Sequence, residues 1–281
     1  MTQTQFTRTA FSDAMFDRIR QFMHEKTGVV LNDAKKDMVF GRLYKHITLT
    51  DLSSFATLCD ALEAGDVVQQ NIVINAITTN LTSFYRERHH FDFLSEQVIQ
   101  DLMEANSATR RIRIWSAGCS SGEEAYSIAM CLLEKVPALS DWDIKILATD
   151  VDLNMLAQAK TGVYAIDRLE GISPELRKRW FRKGQGRNQQ KVKIKEELKQ
   201  FVRVKYLNLL ESWPMEGPFD IVFCRNVVIY FDKNTRQRLF DRFANILTAE
   251  GHLFIGHSEN LFDISKRFRP LGQTVYQKKG S

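Results

Sequence analysis

Four groups of residues in this chain have types and spacings suited to holding one small ligand. The first is Trp115-Ser-Ala-Gly-Cys-Ser-Ser-Gly-Glu-Glu124, where a short strand pattern (Ile112, Ile114, Trp115) runs through small residues into a helix pattern. Small residues at such a turn bring a ligand against bare backbone, and the helix start offers N–H groups. The second is Asp150, which ends the apolar run Ile144–Ala148 and therefore leaves the carboxyl edge of a strand. An acid there can accept hydrogen bonds from both hydroxyls of a ribose; alternatively Asp150 or Asp152 caps the next helix. The third is Arg225 and Asn226, emerging after the buried run Phe219–Cys224, with Tyr230 a few residues on. The Tyr230 ring either faces a cation, an attraction worth about 0.5–2 kcal/mol, or is a core aromatic with a bonded hydroxyl. The fourth is Asn80-Leu-Thr-Ser-Phe-Tyr-Arg86, in which Asn80 and Thr82 are equally suited to capping a helix.

The loop is not a dinucleotide fingerprint, since Ala117 and Cys119 break the G-x-G-x-x-G pattern. Glu123 and Glu124 also sit where a pyrophosphate would want no negative charge. A phosphate-free donor carrying its own positive charge suits this loop better, and S-adenosylmethionine is such a molecule. Cys119 has no histidine near it in sequence, so a small loop residue is expected rather than a nucleophile. His89 and His90 are adjacent, and adjacent helical positions do not converge on one ion; no metal is expected.

Residues 1–80 read as helical throughout. Met15, Phe16, Ile19, Phe22 and Met23 recur at helical spacing up to Gly28; Asn32 or Asp33 can cap a second helix carrying Met38, Val39, Leu43 and Ile47; Leu52–Leu62 and Val67–Ile77 supply two more. From Leu81 a helix is expected through Phe84, Phe91, Phe93 and Leu94. Strands then alternate with helices: strands at 111–115, 144–150, 202–206, 219–224, 252–256 and 273–277, helices after the first two, and a helix from Asn234 to Leu247. Alternation of this kind means a doubly wound, mostly parallel α/β sheet. An insertion over about 164–200 interrupts it, with a helix at Pro174–Trp180 and an antiparallel hairpin in which Lys191, Lys193 and Lys195 alternate with Val192 and Ile194.

The chain has 281 residues, 44% hydrophobic and 26% charged, which places it among ordinary globular proteins able to bury a full core. No apolar run is long enough to span a bilayer. The first residues lack a secretory pattern, and Cys59, Cys119, Cys131 and Cys224 have no metal-ligand spacing, so a reduced cytoplasmic setting is expected. Net charge is +5 but uneven: Arg177 to Lys205 holds twelve lysines and arginines against Glu196 and Glu197, a local +10, which leaves −5 on the remainder. A basic module on a mildly acidic protein attracts nucleic acid, a lipid surface or an acidic protein.

The chain resembles the chemotaxis receptor methyltransferases, the CheR family. The matching stretches are Ile77-Thr-Thr-Asn-Leu-Thr-Ser-Phe-Tyr-Arg-Glu87, Trp115 to Ala129, Ala148-Thr-Asp150, Leu207-Asn-Leu-Leu210, Phe223-Cys-Arg-Asn-Val-Val-Ile-Tyr-Phe231, Gly256-His-Ser-Glu-Asn260 and Gly272-Gln-Thr-Val-Tyr276. They lie in the family's order over nearly the whole chain. The resemblance implies an N-terminal helical domain (1–80) and a class I, Rossmann-like methyltransferase domain (81–281) with a small antiparallel β insertion at about 164–200. It implies cofactor contacts at Asn80, Thr82, Arg86, Glu124, Asp150, Asn208, Leu209, Arg225 and Asn226, with Arg86 and Tyr230 close to the transferred methyl. It further implies methyl transfer from S-adenosylmethionine to glutamate side chains of chemoreceptors, giving methyl esters and S-adenosylhomocysteine, by a monomer recruited from the cytoplasm to receptor arrays. In that family the insertion can bind a receptor's C-terminal peptide, and the second helix of the helical domain is often rich in arginines facing the receptor. Here that helix offers Arg42, Lys45 and His46 after Lys35 and Lys36.

Other readings fit less well. A nucleic-acid methyltransferase would use the basic segment, but the hairpin has no aromatic residues interleaved for base stacking, and no Asn-Pro-Pro-Tyr tetrapeptide follows the Phe219 strand. A nicotinamide oxidoreductase lacks its glycine fingerprint, and a non-catalytic adaptor is at odds with the intact motifs.

Overall fold

The computed structural model describes residues 11–49, 52, 54–135 and 141–280, apart from the side chains of Leu49 and Lys135. The chain divides into two compact units, one of residues up to Thr79 with Tyr230–Asp232, the other of Asn80–Ile229 with Lys233 onward.

The first unit is helical. Helix α1 (Asp13–Thr27) starts on Ser12, whose side chain accepts the Met15 N–H, and stops at Gly28 in the left-handed conformation (φ 74°). Its apolar positions Phe16, Ile19, Phe22 and Met23 are buried. A 3-10 turn (Asp33–Lys35) leads into α2 (Lys36–Leu49), and Asn32 makes no side-chain capping bond there, so the expected cap at that point is absent. Helix α3 (Phe55–Glu63) is capped by Ser54 and α4 (Val67–Ile77) by Asp66, which accepts from both Val68 and Gln69. Arg42 of α2 does not face outward as a receptor contact would. Its Nη1 donates to the carbonyls of Ala76, Ile77 and Thr78 (3.2, 2.8 and 2.9 Å), covering the open carbonyl end of α4. His46 lies 3.0 Å from Gln69 Oε1, which leaves Lys45 as the exposed cation of the three.

In the second unit, residues 80–88 form no helix, contrary to the pattern read through Phe84; the chain is bent, with Tyr85 and Glu87 at φ 55° and 56°. Phe84 is buried against Tyr164 and Phe181, so its apolar character serves packing rather than helical periodicity. A continuous helical segment follows: α5 (His89–Phe93), a π turn (Leu94–Val98) and α6 (Ile99–Ala105). Then come β1 (Arg111–Ala117), α7 (Glu123–Lys135), β2 (Asp143–Asp150) and α8 (Leu153–Thr161). The insertion holds β3 (Val163–Ala165), α9 (Pro174–Trp180), β4 (Phe181–Lys183), β5 (Lys191–Ile194) and α10 (Glu196–Lys199). The main fold resumes with β6 (Val202–Tyr206), β7 (Phe219–Cys224), α11 (Lys233–Ile246), β8 (Leu247–Ile255), β9 (Phe268–Gly272) and β10 (Val275–Lys278).

The main sheet has seven strands in the order β6-β2-β1-β7-β8-β10-β9. The pairs from β6 through β8 are parallel, and β10 runs antiparallel to both β8 and β9. The closing antiparallel pair explains why β9 escaped the sequence reading: its residues Phe-Arg-Pro-Leu-Gly are mostly exposed, as an edge strand tolerates, and Pro270 is allowed only there. Strand β7 is buried at all six positions, including its one charged residue, Asp220, which accepts the Arg113 N–H (2.7 Å) and Asn106 Nδ2 (3.2 Å). Phe223 stacks on Phe254 at 4.3 Å, and Trp115 meets Trp213 and Phe243 edge-on at 4.7 and 5.4 Å. Each such ring contributes roughly 1.5–3 kcal/mol by burial.

The insertion is a three-stranded antiparallel sheet, β3-β5-β4, not a lone hairpin. The lysines lie on its middle strand: Lys191 and Lys193 are exposed while Val192 and Ile194 are buried. Lys195 falls outside the strand.

Candidate functional site

The order of strands reverses between β1 and β7, and in open α/β sheets the crevice beyond the carboxyl ends at that point is where ligands bind. Three of the predicted groups reach it directly from strand ends: the loop after β1, Asp150 at the end of β2, and Arg225-Asn226 after β7. Asn208 and Leu209 follow β6 beside Asp150, whose carbonyl accepts the Leu207 N–H (3.1 Å).

The 118–122 loop is built from inside. Gly118 (φ 82°) and Gly122 (φ 95°) need the left-handed region, and a Cβ on Gly118 would meet Val227 at 2.4 Å. The N–H groups of Gly118 and Cys119 both bond Thr149 O (2.8 and 2.9 Å), that of Gly122 bonds Cys119 O, and that of Ser120 bonds Asp150 Oδ2 (2.7 Å). These donors are therefore consumed by the protein, in keeping with a loop that does not cradle a phosphate. Glu123 is fully buried, bonded by Ser121 Oγ (2.6 Å) and paired with Arg168. Arg168 also donates to Thr82 O (2.8 Å), so the insertion ties the 80–88 segment to the start of α7, a tie with no motif of its own in the sequence.

Asp150 is not a helix cap; Asp152 has that role, accepting from Asn154 and Met155. Asp150 instead takes the N–H of Ser120 on one oxygen and that of Asp152 on the other (3.0 Å). Burial raises its carboxyl above the usual range, with the Asp152 charge adding to that and backbone N–H bonds opposing it. Asn80 and Thr82 cap no helix. Asn80 Nδ2 donates to Asp152 Oδ2 (2.6 Å), and Asn80 O accepts Ser120 Oγ (3.0 Å).

Glu124 is buried, accepting Ser116 Oγ (2.7 Å) and Arg225 Nη1 (3.1 Å). Burial raises its carboxyl, opposed by Arg225 and Ser116. Arg225, 6% exposed, also donates through Nη2 to Arg86 O (2.5 Å), and its Nε has no hydrogen-bond partner. Arg86 is half-buried, its Nη1 donating to Leu81 O (2.6 Å), and among the described residues it is in no ion pair. Asn226 sits at φ 60°. Tyr230 groups with the helical unit, where its carbonyl accepts the Val30 N–H (2.8 Å).

Two further residues shape the site without having stood out in the sequence. Arg242 of α11 lies over the Trp213 ring (3.9 Å) and donates to Leu209 O (2.6 Å) and Glu211 O, holding the loop after β6. Glu259 accepts the N–H groups of Asn226, Ile229 and Gly256 (3.0, 3.2 and 2.6 Å) and so fixes the turn after β7. In Glu259→Gln an NH₂ must face backbone N–H donors. This is expected to cost about 2–3 kcal/mol, a fall of roughly 5–10 °C in the melting midpoint. An unchanged thermal melt followed by circular dichroism would contradict it.

Ligand-type atoms of Glu87, His89 and His90 lie within 4.8 Å of one another. A cation there would have to displace Arg225, which stands 3.1 Å from Glu87.

The rim carries acceptors (Asp150, Glu124, Asn208 Oδ1), while the N–H groups of Gly118, Cys119, Ser120, Gly122 and Asn226 are already bonded within the protein. That chemistry fits a ligand bringing hydroxyls, an ammonium and a positive centre, as S-adenosylmethionine does, and disfavours a phosphate. Family models agree. Residues 80–277 match the CheR methyltransferase S-adenosylmethionine-binding domain, and residues 14–78 match the CheR methyltransferase all-alpha domain.

The chain belongs to the CheR methyltransferase family.

Its relatives include a probable chemotaxis protein methyltransferase of Rhizobium etli, 41% identical over 258 residues, covering 91% of this chain and 96% of that one. Chemotaxis protein methyltransferase 2 of Pseudomonas aeruginosa is 43% identical over 264 residues (93% and 91% covered). The chemotaxis protein methyltransferase of Escherichia coli is 40% identical over 272 residues (96% and 92%). This CheR family member is an S-adenosylmethionine-dependent methyltransferase of Rossmann-like fold, with an all-helical N-terminal unit and a small antiparallel insertion. No described helix is long and apolar enough to cross a membrane.

Proposed function

We propose that this protein methylates glutamate side chains on the cytoplasmic part of chemoreceptors, giving methyl esters for adaptation in chemotaxis. The observation that carries the reading is Arg86, whose backbone carbonyl is bonded by Arg225 and whose guanidinium is outside any ion pair among the described residues. When bound, S-adenosylmethionine supplies an electrophilic methyl on a sulfonium. The residues proposed to hold it are Asn80, Thr82, Arg86, Glu124, Asp150, Asn208, Leu209, Arg225 and Asn226. Asp150 accepts from ribose hydroxyls, Glu124 and Arg225 receive the amino-acid tail, and Leu209 gives an apolar surface for the base.

A glutamate acceptor has a pKa of about 4.3 and is already ionised at neutral pH, so no general base is required. The protein's work is to strip water from that carboxylate, orient it and hold it. Arg86 performs the orientation, and Tyr230 offers an aromatic wall toward the positive centre. The charge of Arg86 is available for this because its own bond to Leu81 O engages only one terminal nitrogen.

The basic insertion serves as the partner module for an acidic receptor tail. Because the lysine strand β5 is the middle strand, the pairing edges are β3 and β4, and Lys191 and Lys193 act through charge on the exposed face. Lys191→Glu with Lys193→Glu is expected to weaken an acidic tail peptide about tenfold at low salt and much less at 0.5 M salt. Equal affinity for wild type and variant, by fluorescence anisotropy, would remove the module from tail binding.

Incubating the protein with receptor fragments and methyl-labelled S-adenosylmethionine tests the reaction. Label released as methanol by mild alkali marks a carboxyl ester and supports the proposal. Label on nucleic acid, or alkali-stable label on nitrogen, refutes it.

A further inference from the structure

Glu87 is not among the residues proposed to touch the cofactor, yet its carboxylate joins three segments of the rim. Oε1 accepts His257 Nδ1 (2.8 Å) and Asn226 Nδ2 (3.3 Å); Oε2 accepts the His257 N–H (3.2 Å) and pairs with Arg225 Nη2 (3.1 Å). The side chain is only 10% exposed. Burial by itself raises this carboxyl, but the bonds from His257, Arg225 and Asn226 outweigh it and hold the pKa down at about 2. Glu87 is thus held as the carboxylate at neutral pH.

Its backbone is as constrained as its side chain. Tyr85 and Glu87 both lie in the left-handed region, at φ 55° and 56°, on either side of Arg86. Single non-glycine residues visit that region at a cost of about 1–3 kcal/mol and persist only when their surroundings over-determine them. Here the surroundings are explicit. Tyr85 N–H donates to Ser127 Oγ (3.0 Å), Arg86 O accepts Arg225 Nη2, and Glu87 is gripped from three sides. His90 adds no bond of its own. Its Nε2 faces Gln273 O (2.7 Å), which can only accept, so the Nε2 proton is spent there and Nδ1, without a hydrogen-bond partner, turns a lone pair toward Glu87 at 3.5 Å. Burial, then the Arg225 charge, keeps His90 neutral, with its pKa down at about 4. The ion pair and bonds of Glu87 therefore run to Arg225, Asn226 and His257.

We propose that Glu87 is a positioning residue for methyl transfer: its carboxylate fixes Arg225 and Asn226 against the cofactor crevice and locks the left-handed turn that presents Arg86. It does not touch the reacting atoms. The inference rests on the reading of this rim as the methyl-transfer site.

Glu87→Gln preserves shape but puts an NH₂ where a second acceptor is needed. The expected result is S-adenosylhomocysteine bound about tenfold more weakly by calorimetry and kcat on receptor fragments lowered about 10–100-fold, the scale of one or two lost charge-assisted bonds. The double variant Glu87→Gln/Arg86→Ala should lose clearly less kcat than the two single losses multiplied together, because residues that act as a unit do not add. A purely structural Glu87 would instead give additive losses, and that outcome overturns the proposal, as does wild-type kcat and affinity in Glu87→Gln. If Glu87→Gln does not fold, His257→Ala trims the exposed partner of the same carboxylate without stranding a buried charge. It should lower kcat several-fold, non-additively with Arg86→Ala, and wild-type turnover there overturns the proposal. Wild-type protein that bound no S-adenosylhomocysteine would fail one step earlier, removing the methyl-transfer reading and this inference with it.

Discussion

Arg86→Ala is expected to lower kcat by about 100–1,000-fold while weakening S-adenosylhomocysteine by less than tenfold. The size follows from what a positioned charged donor is worth where charge is rearranged in a site shielded from water. The asymmetry follows from geometry. Arg86 is proposed to reach the acceptor carboxylate from a turn whose carbonyl is held by Arg225, while the proposed contacts for the donor molecule lie mainly on Asp150, Glu124 and the loop after β6. Losing the guanidinium therefore removes an interaction made chiefly with the acceptor carboxylate, and steady-state kinetics should report it in kcat. The fold should survive, since the side chain gives up only its bond to Leu81 O. Turnover within threefold of wild type would take Arg86 out of the mechanism.

Asp150→Ala is expected to act on binding instead. Two charge-assisted bonds to ribose hydroxyls at about 1.5 kcal/mol each correspond to a loss of roughly 100-fold in affinity for S-adenosylhomocysteine. The variant also frees the N–H groups of Ser120 and Asp152, so the loop after β1 loosens as well. A pH dependence goes with it. Burial raises the Asp150 carboxyl, so in the wild type it protonates at higher pH than an ordinary aspartate. Affinity should accordingly fall as pH is lowered from neutral, and Asp150→Ala should flatten that slope. Unchanged calorimetric affinity would refute the ribose assignment.

Much of the architecture was legible because periodicity reports burial. Val67–Ile77, Pro174–Trp180, Val202–Tyr206 and Phe219–Cys224 appear with the limits their patterns implied. The errors share a cause: position overrode pattern. Phe84 belongs to a bent segment whose apolar residue packs sideways, so a helical period was read where none exists. Strand β9 is exposed and contains Pro270, which hid it. Arg42, a surface cation by composition, closes the end of α4, a contact with no local signature because the two helices are far apart in sequence.

The site divides the same way. Motifs ending on strands pointed to Asp150 and Arg225, since a strand's last residue has a known direction. Arg168 and Arg242 lie outside every matching stretch, and Glu87 and Glu259, though inside two of them, act through long-range contacts with backbone and charge that have no local pattern.

The central claim is that the crevice beyond β1, β2 and β7 holds an adenosyl methyl donor. A crystal grown with S-adenosylhomocysteine tests it most directly. The account predicts the ribose hydroxyls on Asp150 and the amino-acid tail beside Glu124 and Arg225. A ligand seated elsewhere, or an empty crevice at saturating concentration, would contradict it.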